Sequence, residues 1–103
     1  MVPYGHHNLA RYREHLRAYH ADWQNAPDDE LQAFTHQQAE QARNSGFNND
    51  RDIVRWLALA TELSPEFMHQ PWAKNILVQP EYIGTQSRMD RLYQAAIDHL
   101  DEA

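Results

Sequence analysis

Glu66-Phe67-Met68-His69 carries the Glu-x-x-His spacing by which carboxylate-bridged metal bundles present half of a site. That chemistry needs a second copy of the motif and two further inward carboxylates, and the chain offers no second copy. The remaining histidines do not supply the missing ligands. His15 and His20 are five apart and point to different faces of one helix, His6 and His7 sit near the start, and His36 with Glu40 makes an ordinary one-turn surface pair. No metal and no cofactor are therefore expected. Acid–base hydrolysis needs two carboxylates in a cleft, one of them in an apolar setting. The acids here cluster at predicted helix starts, and Asp50-Arg51-Asp52 reads as a capping cluster. Ser64 and Ser87 lack the glycine-flanked turn of a nucleophile elbow. Three scattered glycines make no phosphate loop, and the absence of cysteine excludes thiol chemistry and disulfides. No catalytic residue is expected, and the chain does not read as an enzyme.

Charge narrows the partners. Fifteen acids against nine bases give a net charge of −6, the wrong sign for a general nucleic-acid binder. Arg13 and Arg17 share a helix face, but Glu14 and Asp22 interrupt the patch and Arg11 lies well round the helix. No window approaches 18 apolar residues, so no membrane span is expected. The start has no apolar leader, so the expected location is cytoplasmic. What remains is an aromatic signal at a break in the chain, "SPEFMHQPWAKNILVQP", where three prolines bracket two short segments. Phe67, Met68, Trp72 and Ile76, with Arg13 and Arg17 on the first helix, have the composition of a protein-binding hot spot. Trp72 is the ambiguous member: it either closes a corner of the core or is offered to another protein.

The elements that must position these residues are helical. A chain of 103 residues suits one domain, 1–103, with 1–7 expected to be flexible. Leu9, Tyr12, Leu16, Tyr19 and Trp23 make a 3-4-3-4 stripe over a first helix from Asn8 to Gln24. A second helix spans Asp28 to Asn44, stopped by Gly46-Phe47 in the manner of a Schellman motif. Asn48 or Asn49 caps a third, Asp50 to Leu63, whose apolar residues cover more than one face and mark it as the central element. Ser64-Pro65 and Pro71 open short turns, and Pro80 closes the second. The last helix runs from Thr85 to Leu100 on a Met89, Leu92, Tyr93, Ala96, Leu100 stripe. The expected fold is all-α: a compact bundle of four main helices with one or two short proline-bounded helical turns and no strands.

The order "GFNNDRDIVRWLALATELSPEF", "PWAKNIL", "SRMDRLYQAA" is similar to that of small helical accessory proteins encoded beside type VI secretion spike and effector genes, often next to an adaptor chaperone. The resemblance covers roughly Ala10 to Leu100. It rests on Gly46, Arg51, Asp52, Phe67, the Pro71-Trp72-Ala73 run with Ile76 and Leu77, and the Met89-Asp90-Arg91-Leu92-Tyr93 helix. It implies a non-enzymatic role for these residues in folding or partner binding, and a co-chaperone that stabilises an effector or its adaptor. The chain departs from the pattern at Ser64-Pro65-Glu66, where the family carries Gly-Pro-Asp, which puts the shape of the bend in doubt. An immunity protein neutralising a secreted toxin is the alternative, since an acidic chain suits a basic toxin cleft.

Overall fold

The computed structural model describes the backbone from Tyr4 to Glu102 and the side chains from Leu9 to Leu100. Helix α1 spans Tyr4–Tyr19, a single turn α2 spans Ala21–Gln24, α3 spans Asp28–Asn44 and α4 spans Asp50–Glu62. A 3-10 turn follows at Phe67–His69, then α5 at Pro71–Leu77, strands β1 (Tyr82–Ile83) and β2 (Gln86–Ser87), and α6 at Arg88–Glu102. The four main helices and both short proline-led turns thus stand as the sequence predicts, in a compact, mostly helical fold. The shortest dimension is 21 Å against 38 and 36 Å in the others, the thickness of two helices laid side by side.

The core is built around α4. Ile53, Trp56, Leu57, Leu59 and Ala60 are all buried, so the helix is covered on more than one side. Tyr12 and Leu16 of α1, Leu31, Ala39 and Ala42 of α3, and Met89, Leu92 and Ala96 of α6 close over it. One buried polar side chain is accounted for completely. Gln38 accepts a hydrogen bond from Trp56 Nε1 at 3.0 Å and donates to the Pro65 carbonyl at 3.2 Å. It therefore fixes the central tryptophan to the chain just beyond α4.

Local chemistry sets most boundaries. Gly46 has φ +96°, Gly46 N–H donates to Arg43 O at 2.9 Å and Phe47 N–H to Ala42 O at 2.9 Å, the paired bonds of a Schellman stop. Asn49 caps α4 by accepting from Asp52 N–H at 2.9 Å. Pro71 occupies the first turn of α5, where a missing N–H costs nothing.

Three expectations need correction. The first helix begins at Tyr4 and does not run unbroken to Gln24: His20 is extended, with φ −127° and ψ 112°, and separates α1 from α2. Residues 1–3, part of the segment expected to be flexible, lie outside the described residues. Tyr19 consequently leaves the predicted stripe and is 74% exposed. The last helix begins at Arg88 with Ser87 before it, so the predicted start at Thr85 is too early. The residues before it form a small antiparallel hairpin, Tyr82 opposite Ser87 and Ile83 opposite Gln86, where no strand was expected.

Candidate functional site

The proline-bracketed break is a packed corner. Ser64 starts it: its hydroxyl accepts from Glu66 N–H at 3.0 Å and its carbonyl from Phe67 N–H at 3.1 Å. This tight turn carries Phe67 back onto the centre of the molecule, where its ring meets Trp56 edge-on at 4.8 Å. Phe67 and Met68 are buried, so neither is presented to a partner. Trp72 lies half-buried between Phe67, at 6.5 Å, and His99 of α6, at 5.5 Å, both rings stacked within 25° of it. Its Nε1 is shielded and has no hydrogen-bond acceptor. Ile76 is half-buried against the same core. The rings Phe47, Trp56, Phe67, Trp72 and His99 form one unbroken series from the α3–α4 connection to α6.

The two arginines expected beside that break have different surroundings. The Arg17 guanidinium donates to the carbonyls of Trp23 at 2.9 Å and Ala26 at 3.0 Å, reaches Gln24 O at 3.3 Å, and pairs with the Asp28 carboxylate. It satisfies the carbonyls left without partners where α2 ends, so its role is to hold the α2–α3 connection. Arg13 is half-buried on the same helix, beside Arg17 along a groove that also includes Glu14 and Asp28. The structure does not bring either of them into contact with the break.

Glu66 and His69 do meet, at 3.2 Å, but as an exposed pair. Among the described residues no three side chains of metal-ligating type come together. His20 Nδ1 lies 3.1 Å from Glu62 Oε1, tying the α1–α2 bend to the end of α4. Burial pushes His15 below the ordinary histidine pKa, and the neighbouring His20 adds to the effect. At the other end of the molecule, the Arg55 hydrogen bond, followed by that of the Ser87 backbone, holds Asp90 below the usual carboxylate range. Asp90 Oδ1 accepts from Arg55 at 2.8 Å and Oδ2 from Ser87 N–H at 3.2 Å, while Ser87 Oγ accepts from Asp90 N–H at 3.0 Å. This reciprocal capping box anchors α6 to α4.

Exposed apolar side chains lie instead at the end of α5 and in the hairpin that follows. Val78 is 83% exposed, Tyr82 61% and Ile83 52%. Consecutive strand residues face opposite ways, so exposure of both Tyr82 and Ile83 means that both faces of the hairpin are wet. The hairpin is an arm standing off the body. Gly84, with φ +63°, turns it, and the non-glycine Thr85 that follows keeps a negative φ, the pattern of a type II′ turn. Its base is held firmly. Arg91 donates to the carbonyls of Pro80 and Gln86 and to Gln79 Oε1, and Arg88 N–H donates to Glu81 O at 2.6 Å. Sequence reasoning missed this arm. The available signal was "YIGTQ", an aromatic and a β-branched residue ahead of a glycine turn, overlooked because it is too short to show alternation.

No family model, no curated protein and no solved structure matches this chain. Among the described residues no helix is long and apolar enough to cross a membrane.

Proposed function

We propose that the chain is a protein-binding accessory that makes and breaks no bonds of its own, and that its partner grips the hairpin arm at Tyr82 and Ile83 together with Val78 at the end of α5. In the setting that the sequence resemblance implies, the partner is a secreted effector or its adaptor chaperone, and the chain serves as a co-chaperone for type VI secretion. The single observation that carries this reading is the exposure of those three side chains, two of them on an arm whose base is fixed by arginine-to-carbonyl bonds. Large apolar groups cost free energy in water unless something covers them. A rigid base also spares the complex the entropy of ordering a loop.

The test replaces Val78, Tyr82 and Ile83 together by serine and compares affinity capture from native extracts with that by the wild-type chain. Losing one anchored aromatic commonly costs about 2 kcal/mol of binding or more. The variant should lose its specific companion while keeping its helical circular-dichroism signal. An unchanged set of captured proteins would sink the reading. A captured toxin whose activity the chain suppresses would assign the immunity role instead.

A further inference from the structure

We infer that the groove lined by Trp23 and Phe34, and rimmed by Asp22 and Glu30, takes an arginine side chain of a partner polypeptide. The inference rests on the protein-binding reading above and gives the partner's chemistry. The groove encloses about 340 Å³ and is completed by Ala60 and Pro65. Its aromatic part is held rigidly. Trp23 and Phe34 lie 4.6 Å apart, tilted by 39°, and both are half-buried, so part of each ring stays open to the groove. The indole nitrogen of Trp23 donates to Thr61 Oγ1 at 3.0 Å, and Thr61 in turn donates to Leu57 O at 2.9 Å. The ring is thereby fixed and has no donor left for a ligand. What it offers is an electron-rich face.

The rim supplies charge of one sign. Asp22 and Glu30 both line the groove, and among the described residues no cationic side chain does and neither acid is paired. Arg17 braces the turn through the Trp23, Gln24 and Ala26 carbonyls and Asp28, and does not line the groove. His20, one residue before α2, is engaged with Glu62. Asp22 and Glu30 lie in the first turns of α2 and α3, which favours their charged forms, and their carboxylates stay available to a cation from outside.

An occupant must satisfy both the aromatic surface and the carboxylates. An apolar side chain would cover the rings but draw two carboxylates out of water with no counter-charge. A guanidinium meets both demands, since it stacks on an aromatic face and donates to carboxylates in its own plane. An ammonium satisfies the charge without the planar stacking. The net charge of −6 on the whole chain favours approach of a basic segment.

The test is an amide-resolved NMR titration of the full chain with a blocked glycine–arginine–glycine tripeptide and with its citrulline, lysine and leucine counterparts. The Trp23 indole N–H signal, assigned by its absence in Trp23→Phe, should move saturably with the arginine peptide. The citrulline peptide, which keeps the shape and loses the charge, should bind at least about tenfold more weakly, and so should arginine to an Asp22→Asn/Glu30→Gln variant. Lysine should fall between arginine and citrulline. No saturable movement, equal binding of citrulline, or tighter binding of leucine each overturns the proposal. Its failure is distinct from failure of the arm: the titration reads the groove alone, and capture with the serine variant reads the arm alone.

Discussion

Trp72 shows how a side chain selected for its ring can carry an unused polar group. Its faces are covered by Phe67 and His99, while its indole nitrogen is shielded and unpaired. A donor shut away from water without an acceptor is destabilising by about 1–3 kcal/mol. Trp72→Phe removes that donor and keeps a flat ring, so its stability in urea unfolding should equal or exceed that of the wild type. Trp72→Ala opens a gap beside Phe67 and should cost about 2–3 kcal/mol, below the 3–5 kcal/mol of a fully buried ring because Trp72 is only half covered. A phenylalanine variant as damaged as the alanine one would show that the nitrogen has a partner after all. The prolines made the shortness of this segment legible, and the residue types made its aromatic content legible. Which rings turn inward was not legible. That depends on Ser64 reversing the chain so that Phe67 reaches Trp56, eleven positions earlier in the sequence. Arg17 was misread for a similar reason: a helix surface pattern cannot reveal that the next helix leaves its last carbonyls within reach of the guanidinium.

At the scale of elements, α6 is held to α4 through a charged contact. Its capping box places Asp90 between Ser87 and Arg55, and Arg55 also lies over the Tyr93 ring at 5.6 Å. Because Asp90 is held below the usual carboxylate range in the folded chain, the unfolded chain takes up its proton first as pH falls. The stabilisation is therefore complete above the ordinary aspartate value and disappears as pH drops through the lower, folded value. Asp90→Asn should be less stable than wild type at neutral pH, and the gap in unfolding free energy should narrow steadily in acid. A gap that does not change with pH would show that the carboxylate's charge contributes nothing. His15 works in the same direction at higher pH: lowered by burial, it favours its neutral form in the folded chain, so stability declines as pH falls below about 6.5. The long helices were readable from their apolar spacing, because many residues vote for one period. The break at His20 and the hairpin were not, because each is decided by a few residues whose partners lie on other elements.

Across the whole molecule, the Arg88 side chain links the end of α5 to the α3–α4 connection. Arg88 donates to Leu77 O at 3.1 Å and Ser45 O at 2.6 Å, and its guanidinium sits 4.8 Å above the Phe47 ring. It thus ties the end of α5 and the start of α6 to the connection that precedes α4. The Arg88 anchor lies just before the start of α4, whereas the Trp23 groove borders Thr61 in the last turn of α4. Arg88→Leu should then loosen one end and spare the other. In native-state hydrogen exchange, amides of α5 and α6 should exchange at least about tenfold faster, with α3 and the middle of α4 unchanged. Capture that depends on the arm should weaken, while the arginine tripeptide should still move the Trp23 indole signal as in the wild type. Uniform acceleration across all helices would mean that the molecule opens only as a unit, and that the arm and the groove are not independently anchored.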